Sequence, residues 1–528
     1  MSKATDSMEQ RRCVIQAELD CQKSQSERNK LGQFSTPTRL AREVLAHALD
    51  LLPSGEAVRF LDPAVGTGSF YSALMSIRQN RQIKWARGFE IDPHYAGPAQ
   101  DLWRNSLLAI SLGDFTHETA PLEEEQRPNL IICNPPYVRH HHLKPEAKTR
   151  LQAAARIACR VELSGLAGLY TYFMALAHSW MSEGAVAGWL IPSEFMDVNY
   201  GKSIKAYLLR EVTLIQIHRF DPCNVQFEDA LVSSAVVWFR KSLPPENHTV
   251  KFSYGGTMRT PTVSKNISAH DLQRADKWTR FPKNEAQTEY HGYRLGDLFS
   301  IKRGLATGDN SFFILEESRA RALDLPQKFL RPILPSTRYI TADEISADSA
   351  GIPLLDKRLF LLDCDLPEHE VKRDYPALWS YLQTGDNRAA TRYICKSRRY
   401  WYLQERRPAA PLVCTYIGRS DNDKRPFRFL LNNSAATATN VYLMLYPKPL
   451  LAIRLQEAPE MLRPLWRGLN SISRETLLSN GRVYGGGMHK LEPRELSNVP
   501  ADELAALVGI TLKASASVRT EQVEMFAP

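Results

Sequence analysis

The chain contains 528 residues, in which 67 lysines and arginines stand against 58 aspartates and glutamates, a formal net charge of +9. A chain of this length is expected to form two or three domains, and its basic excess favours a polyanionic partner. The eight scattered cysteines predict reduced thiols rather than a disulfide framework, and since no uncharged apolar run reaches about 18 residues, we expect a cytoplasmic protein without a membrane span.

The first predicted elements are helical stretches separated by a loop. Residues 1–30 are polar and charged and predict a helical or flexible N-terminal arm. The sequence Gly-Gln-Phe-Ser-Thr-Pro at 32–37, named the 32–37 loop, leads into a second helical pattern. We expect Thr36 to cap that helix with Pro37 at its first position, which would leave N–H groups available at the helix N-terminus.

A short strand at 58–61 runs directly into Asp-Pro-Ala-Val-Gly-Thr-Gly at 62–68, named the glycine loop. Glycines allow a tight turn and a close approach of the backbone to a ligand. A dinucleotide-binding loop would carry G-x-G-x-x-G, whereas only Gly66 and Gly68 are present at that spacing. The leading acid, Asp62, would repel a pyrophosphate and attract an ammonium, which favours a cofactor with a cationic amino-acid end.

Two further predicted strands end in acidic residues. The strand at 84–89 precedes Glu90, which lies 22 residues beyond the last glycine of the glycine loop. This is close to the roughly 20 residues at which α/β nucleotide sites place a carboxylate for ribose hydroxyls. An apolar run at 107–112 precedes Asp114 and Phe115. Asp114 is expected to accept a hydrogen bond from an adenine amino group, and Phe115 to pack on the adenine ring.

A fourth strand, at 130–133, ends in Asn134-Pro135-Pro136-Tyr137, named the NPPY loop. Two consecutive prolines cannot continue a helix or donate to a ladder, so a stiff loop leaves the carboxyl end of the strand. The side-chain oxygen of Asn134 and the carbonyl of Pro135 are acceptors, and Tyr137 offers an aromatic face. Together they suit a planar ring that bears an amino group, whose nitrogen two acceptors could pull toward an attacking geometry.

The remainder of the first half predicts three more strands, at 184–191, 213–218 and 231–239, and no metal site. The three histidines at 140–142 are consecutive and cannot readily converge on one ion, so we expect them in a basic loop that touches nucleic acid. Between the last two strands, Phe227 is either an ordinary hairpin-tip residue or a second ring packed against a base.

Residues 244–290 turn polar and irregular and predict a linker, with a second domain over 291–528. Its most charged part is the stretch 391–430, named the basic segment, with ten lysines and arginines, three acids and interleaved aromatic residues. Such a mixture favours recognition of duplex DNA. A solvated charged face over an aromatic core is the alternative interpretation.

In this order the loops resemble those of gamma-class N6-adenine DNA methyltransferases of restriction-modification systems, the TaqI-like and PstI/BsuBI-like enzymes. The resemblance covers nearly the whole chain. It implies an α/β fold in which a Rossmann-like S-adenosylmethionine-dependent methyltransferase domain, at 31–243, is followed by a mixed α+β DNA target-recognition domain, at 291–528.

The resemblance also implies roles for individual residues. The residues that would hold S-adenosylmethionine are Thr36, Pro37, Asp62, Pro63, Ala64, Gly66, Gly68, Glu90, Ile91, Asp114 and Phe115. The residues that would hold the target adenine are Asn134, Pro135, Pro136, Tyr137 and, on the far side of the ring, Phe227. The residues that would contact DNA are Arg139, Arg398, Arg399, Tyr400, Trp401, Arg406, Arg419, Arg482 and Tyr484.

The implied activity is transfer of a methyl group from S-adenosylmethionine to the N6 atom of an adenine flipped out of double-stranded DNA. Such an enzyme would be the modification partner of a restriction-modification system, acting as a monomer beside a separate restriction endonuclease. The transfer would be direct, without a covalent enzyme intermediate or a metal ion.

Three alternatives belong to other classes. A protein glutamine methyltransferase would also use an NPPY loop, because that loop suits a planar carboxamide, but it does not need the basic second half. A methylase-nuclease fusion is suggested by Glu370-Val371-Lys372, which imitates an E-x-K fragment in a stretch with a helical pattern. A non-catalytic DNA-binding relative is disfavoured by the intact Asp62, Gly66, Gly68 and Asn134.

Overall fold

The computed structural model describes residues 3–78, 81–221, 226, 233–282, 290, 292–419, 426–484 and 488–510, with backbone only at 3–6, 419, 483 and 484. These residues form two compact units. The first contains the described residues up to 288, and the second contains most of those beyond it.

The helices of the first unit are α1 (Lys3–Cys21), α2 (Gln25–Leu31), α3 (Thr38–Leu51), α4 (Ser69–Ile77), α5 (Pro93–Trp103), α6 (Pro145–Cys159), α7 (Leu169–Trp180), α8 (Gly201–Arg210) and α9 (Ala269–Arg274). Its strands are β1 (Val58–Asp62), β2 (Ile83–Glu90), β3 (Leu108–Leu112), β4 (Leu130–Cys133), β5 (Val186–Pro192), β6 (Thr213–Arg219), β7 (Ser234–Arg240), β8 (Thr249–Gly256) and β9 (Pro261–Ser268).

Nine described strands form one sheet in the order β3-β2-β1-β4-β5-β7-β6-β8-β9. The five strands from β3 to β5 are mutually parallel, and β7 lies antiparallel between β5 and β6. The carboxyl ends of parallel strands share one edge of a sheet, which is where open α/β folds bind their ligands. The loops that follow β1, β2, β3 and β4 therefore meet at one edge.

Strand β4 is buried on both faces of this sheet. Leu130 and Ile132 pack in one hydrophobic cluster with side chains of α3 and α4, whereas Ile131 and Cys133 pack in another with α6 and α7. A strand covered by helices on both sides needs apolar residues at every position rather than at alternate ones. This explains the uninterrupted apolar run before the NPPY loop.

The N-terminal segment is helical and packs on the domain, since α1 lies against α4 and α5. Arg12 is only 2% exposed; it donates hydrogen bonds to both carboxylate oxygens of Glu9, at 2.8 Å each, and to Oγ1 of Thr67 at 3.1 Å. Burial opposes ionisation of Glu9, yet hydrogen bonds from Arg12 and neighbouring hydroxyls lower its pKa to about 2. Helix α1 is therefore anchored to the glycine loop.

The prediction of a linker at 244–290 is wrong over β8 and β9, which extend the sheet. Val250, Phe252 and Ile267 from these strands are buried in the core. The misassignment has a physical cause, because most residues of β9, the outermost strand, are exposed. An exposed edge strand carries polar residues and has no alternating apolar pattern by which to recognise it.

The second unit is mixed α+β. Its helices are α10 (Leu295–Leu298), α11 (Asn310–Phe313), α12 (Glu317–Ala322), α13 (Glu368–Asp374), α14 (Pro376–Gln383), α15 (Tyr393–Lys396), α16 (Pro449–Glu457), α17 (Leu462–Ser471), α18 (Arg474–Asn480), α19 (Pro493–Ser497) and α20 (Asp502–Leu507). Its strands are β10 (Phe299–Arg303), β11 (Ile314–Glu316), β12 (Leu330–Ile333), β13 (Glu344–Ile345), β14 (Leu359–Leu362), β15 (Leu412–Thr415), β16 (Ile417–Arg419), β17 (Phe429–Asn432), β18 (Tyr442–Pro447), β19 (Arg482–Tyr484) and β20 (Met488–Lys490).

These strands form a five-stranded sheet in the order β10-β18-β15-β17-β13 and two three-stranded sheets, β11-β14-β12 and β16-β20-β19. Separate hydrophobic clusters support the unit, one of them around Phe312, Phe360 and Tyr402. A doubly covered α/β sheet followed by a mixed α+β unit confirms the predicted fold class.

We predict that Arg12→Ala loosens α1 from the domain. The substitution leaves the Glu9 carboxylate without its cation, and removing one partner of a buried ion pair typically costs about 3–5 kcal/mol. Urea denaturation followed by tryptophan fluorescence measures the loss. Arg11→Ala is the matched control, because Arg11 is exposed on the same helix. Equal stability of the two variants would show that Arg12 does not anchor α1.

Candidate active site

A cavity of about 210 Å³ is formed by the loops that follow the carboxyl ends of β1, β2, β3 and β4. Loops from four strands thus line one cavity. The predicted site residues that line it are Pro63, Ala64, Gly66, Glu90, Ile91, Asp114, Phe115, Asn134 and Pro136.

Glu90 connects the loops after β1 and β2. Its carboxylate accepts hydrogen bonds from the backbone N–H groups of Gly66, at 3.1 Å, and Asp92, at 2.9 Å. Burial raises the pKa of this carboxyl even though both N–H groups oppose the shift. An acceptor is therefore fixed at the carboxyl end of β2, where ribose hydroxyls bind in α/β nucleotide sites.

The loop after β3 supplies a second acid and part of an aromatic wall. Asp114 begins a short 3₁₀ turn by accepting a hydrogen bond from Thr116 N–H at 2.9 Å. Phe115 is buried, with its ring centroid 5.6 Å from that of Phe89 and 5.5 Å from that of Phe173. Rings at this separation form a rigid apolar surface against which a planar base can pack.

The carboxamide of Asn134 is held in one orientation. Its Nδ2 donates hydrogen bonds to the carbonyl of Phe34, at 2.9 Å, and to Oγ1 of Thr36, at 3.1 Å. Its Oδ1 is buried and accepts no hydrogen bond from the described part of the chain. A buried acceptor without a partner is rare and costs roughly 1–3 kcal/mol. This oxygen is therefore available to a donor that enters the cavity.

The NPPY loop and the 32–37 loop approach each other closely. Tyr137 N–H donates to the carbonyl of Gly32 at 3.2 Å, the Tyr137 hydroxyl donates to Leu190 O at 3.0 Å, and the Tyr137 ring lies 5.6 Å from that of Phe34. Gly32 has a φ of +66°, and a Cβ there would stand 2.4 Å from Tyr137 N. Only glycine fits this position, because both the backbone conformation and the contact exclude a side chain.

Two family models match the chain. The model of the Eco57I restriction-modification methylase matches residues 74–226, and that of the C-terminal domain of the Type II methyltransferase M.Eco57I matches residues 282–525. The Type II methyltransferase M.XamI of Xanthomonas campestris pv. amaranthicola is 27% identical over 488 residues, 90% of this chain and 86% of the relative. M.AccI of Acinetobacter calcoaceticus is 25% identical over 497 residues, 89% and 85% of the two chains.

The chain belongs to the restriction-modification methylases of the gamma class. This confirms the resemblance drawn from the sequence. Membership of this family supports DNA methyltransferase activity. Among solved structures, the Type IIL restriction-modification enzyme MmeI, determined in complex with DNA, superposes with a TM-score of 0.53 at 14% identity. The alignment covers 88% of this chain but 64% of MmeI, less than two thirds, and supports the fold alone.

The cavity of the methylase fits the expected cofactor. Glu90 and Asp114 give the cavity wall carboxylate acceptors, the kind of group that ribose hydroxyls and an adenine amino group require. Ile91 and Phe115 add apolar surface. Gly66 has a φ of +53°, and a Cβ there would meet no atom within 4 Å, so the glycine loop leaves open space at this point.

Thr36 does not cap the helix, which corrects that prediction. Pro37 has extended backbone angles of φ −60° and ψ 143°, so it takes the cap position and helix α3 begins at Thr38. Proline has no side-chain acceptor, so no side-chain hydrogen bond caps the helix. Neither Thr36 nor Pro37 lines the cavity. The Thr36 hydroxyl instead accepts a hydrogen bond from Asn134 and so orients the NPPY loop.

The contact between Asp62 and an ammonium stays a prediction, since Asp62 is buried behind the cavity wall. Asp62 is 1% exposed, does not line the cavity and accepts a hydrogen bond from Ala64 N–H at 3.1 Å. Burial, with the nearby Glu90, raises the pKa of Asp62 to about 8. Gly68 does not line the cavity either, and a Cβ there would stand 2.5 Å from Trp103 Nε1. Asp62 and Gly68 therefore belong to the packed side of the glycine loop.

The basic segment of the methylase is partly structural. Arg398 donates at 2.9 Å to the carbonyls of Ala306 and Thr307, and the Trp401 ring packs 5.5 Å from that of Phe312. Outside the segment, Arg482 pairs with Glu495 at 2.6 Å. These contacts give Arg398 and Trp401 structural roles, and their contacts with DNA stay predictions.

Other predicted DNA contacts face solvent. Arg139 and Arg399 are exposed, and Arg406 is 70% exposed although it pairs with Asp365 at 2.6 Å. Tyr400 is half-buried and stacks on Tyr402, with ring centroids 5.7 Å apart. The side chains of Arg419 and Tyr484, and the whole of Phe227, lie outside the described residues.

Sequence reasoning missed several residues of the cavity. Gln16 and Asp20 reach it from α1 and Tyr95 from α5, and Gly32, Gln33 and Phe34 come from the 32–37 loop. No sequence signal identified the α1 residues, because α1 is polar along its length and its docking depends on tertiary contacts. The Gly-Gln-Phe sequence before Thr36 was the available signal for the loop residues.

Two further predictions concern metal binding and membrane-spanning helices. Within the described ranges, no group of three or more histidine, cysteine or acidic side chains is placed to hold a metal ion, and no helix is long and apolar enough to cross a membrane. The nuclease-like Glu370-Val371-Lys372 lies in helix α13 with Val371 buried.

We predict that Asp62→Asn removes a pH dependence of stability. The unfolded chain releases the Asp62 proton near its ordinary pKa of 3.8, whereas the folded chain retains it until about pH 8. Stability from the neutral carboxyl is therefore fully present below pH 4 and is lost as pH rises to 8. Urea denaturation between pH 4 and 8 should show the native chain losing stability relative to the variant. Parallel pH curves would contradict the burial of Asp62 as a neutral group.

Proposed function

We propose that the protein is a site-specific DNA adenine-N6 methyltransferase that acts on an adenine flipped out of double-stranded DNA. The observation that carries the proposal is that Asn134 lines the cavity and that its buried Oδ1 has no hydrogen-bond donor among the described residues. An exocyclic amino group on a planar base has two protons and therefore suits two converging acceptors. The second acceptor would be the carbonyl of Pro135.

The chain's own groups would position and activate the amino group. Phe34 and Thr36 hold the Asn134 carboxamide so that its oxygen, rather than its nitrogen, faces the incoming donor. Acceptors fixed in advance lose no orientational freedom when the base arrives. They would draw the lone pair of the amino nitrogen out of conjugation with the ring, which makes the nitrogen a better nucleophile.

S-adenosylmethionine, when bound, supplies an electrophilic methyl group. Glu90 and Asp114 would accept hydrogen bonds from its nucleoside, while Ile91 and Phe115 pack on its base. Burial within the cavity excludes water from the reacting atoms, which strengthens each hydrogen bond there. No general base is needed before transfer, because the attacking lone pair belongs to a neutral amino group.

Access to the base requires flipping, since an amino group within a duplex is hidden from an in-line methyl donor. Unstacking one base costs a few kcal/mol, which contacts with the extruded ring offset. The half-buried ring of Tyr137 would stack on one face of the adenine. Packing of Phe227 on the other face stays a prediction.

The second unit would supply recognition of the DNA site. The basic excess of the chain suits contacts with phosphates, and so do the exposed Arg399 and Arg406 of the second unit and Arg139 of the first. Similarity to M.XamI and M.AccI along most of their length supports a role as the modification enzyme of a restriction-modification system. We propose that it acts as a monomer, with cleavage carried by a separate endonuclease.

Asn134→Ala is expected to reduce methyl transfer to the limit of detection or by at least about 10²-fold, while leaving cofactor and DNA binding intact. Loss of one preorganised hydrogen-bonding group at a reacting centre typically costs roughly 10²–10³-fold in kcat. The measurement is transfer of a tritiated methyl group to genomic DNA, followed by mass spectrometry of the nucleosides. The matched control is Asn105→Ala, at an exposed position after α5.

The nucleoside product tests the choice of base. N6-methyladenine is the expected product of the native chain and of the Asn105→Ala control. Methylcytosine, whether at N4 or C5, would contradict adenine as the target. Full activity of Asn134→Ala would instead contradict the role of its carboxamide.

Arg399→Ala and Arg398→Ala are expected to differ although the residues are adjacent. Arg399 is exposed, so its loss should weaken DNA binding and reduce the slope of log Kd against log salt by about 1. Arg398 is held by two backbone carbonyls, so its loss should lower stability by about 1–3 kcal/mol and leave that slope unchanged. Fluorescence anisotropy at several salt concentrations and urea denaturation measure the two effects. A reversed pattern would place Arg398, not Arg399, on the DNA.

A further inference from the structure

Helix α1 contributes side chains to the cavity, although it precedes every loop that the family resemblance assigns to the cofactor. Gln16 and Asp20 both line the cavity. Gln16 is fixed by the glycine loop, since its Oε1 accepts a hydrogen bond from the Thr67 hydroxyl at 2.6 Å. Arg12 donates to the same hydroxyl at 3.1 Å. Two turns of α1 are therefore tied to the loop that follows β1.

Asp20 is held with one carboxylate oxygen occupied. Its Oδ1 accepts hydrogen bonds from the Tyr95 hydroxyl, at 2.8 Å, and from Nε2 of Gln16, at 3.0 Å. Its Oδ2 lies 3.9 Å from Nη1 of Arg28, an ion-pair contact beyond hydrogen-bonding distance. The side chain is 21% exposed. The carboxylate thus has a fixed direction and unused acceptor capacity on Oδ2.

A second set of contacts joins the end of α1 to the turn between β2 and α5. Lys23 forms an ion pair with Asp92, and Nε2 of Gln33 donates to the same carboxylate at 2.8 Å. Asp92 N–H in turn donates to Glu90 at 2.9 Å. The position of Asp20 is therefore set relative to Glu90, the acceptor already expected for ribose hydroxyls.

We propose that Asp20 is a cofactor-contacting residue whose Oδ2 accepts a hydrogen bond from a ribose hydroxyl of S-adenosylmethionine, beside Glu90. The inference rests on the proposed function, because it takes the cavity as the cofactor site. A ribose presents two neighbouring hydroxyl donors, and Glu90 already accepts two backbone N–H groups. A second carboxylate at the same edge gives the second hydroxyl its own acceptor. Tyr95 and Gln16 are positioning residues for Asp20.

The test compares ligands with and without the ribose hydroxyls on the full chain. Asp20→Asn keeps the acceptor Oδ1 for Tyr95 and Gln16 but replaces Oδ2 by an NH₂ donor. Titration calorimetry with S-adenosylhomocysteine should show binding weakened about tenfold to hundredfold, as for loss of a hydrogen bond to a charged group. Binding of the 2′,3′-dideoxy analogue should be weak and unchanged by the substitution.

Two control variants distinguish loss of the ribose contact from a loss of folding. Glu18→Gln makes the same charge change at an exposed position of α1 and should bind both ligands as the native chain does. Tyr95→Phe removes the hydroxyl that orients Asp20 and should weaken S-adenosylhomocysteine binding by a smaller factor. The melting temperature of ligand-free Asp20→Asn should match that of Glu18→Gln, and a large drop would assign the affinity loss to undocking of α1 and overturn the contact.

The outcomes distinguish this inference from the proposed function. Native affinity of Asp20→Asn for S-adenosylhomocysteine, or an equal loss for both ligands, would overturn the ribose contact and leave the proposed function standing. Failure of the native chain itself to bind S-adenosylhomocysteine would overturn the cofactor assignment and, with it, this inference.

Discussion

The site depends on the hydrogen bonds that hold the NPPY loop against the 32–37 loop. The Gly32 carbonyl accepts the N–H of Tyr137, and the Phe34 carbonyl and Thr36 hydroxyl both bind the amide nitrogen of Asn134. In solution a carboxamide can turn either end toward a ligand. Two acceptors fix the orientation here, because both accept hydrogen bonds from the nitrogen and leave the oxygen without a partner among the described residues. The contact between the loops requires a residue without a side chain at Gly32, so the orientation of Asn134 depends on a backbone conformation more than 100 residues earlier.

The sheet brings these loops together, because its parallel strands end at the same edge. Strand β4 is packed on both faces, so the first residue of the NPPY loop begins from a fixed point. Rigid support of this kind holds reactive groups within the small tolerances that catalysis requires. Glu90 then connects the loops after β1 and β2 through two backbone N–H groups. Helix α1 lines the cavity through Gln16 and Asp20 and is held to the glycine loop by buried Arg12, so a segment that is polar in sequence becomes part of the wall.

The sequence was sufficient to predict the elements whose signal is local. Strands β1 to β7 follow from apolar runs, and nine of the predicted site residues line one cavity because each follows a strand of the same parallel sheet. Features that depend on tertiary contacts were not predictable in this way. The edge strand β9 carries polar residues, burial raises the pKa of Asp62 to about 8, and Arg398 binds carbonyls that are distant in sequence. Residue type alone does not distinguish an exposed arginine from one that closes a loop.

The dual attachment of Phe34 has a thermodynamic consequence. Its carbonyl accepts a hydrogen bond from Asn134, the proposed contact of the target base, while the residue itself lines the cavity proposed to hold the cofactor. If filling either place shifts the 32–37 loop, the other place is altered. Equilibrium linkage then requires reciprocity: whatever factor the cofactor imposes on affinity for the extruded base, the base imposes on affinity for the cofactor. Release of the demethylated cofactor and release of modified DNA would accordingly be coupled through one backbone carbonyl.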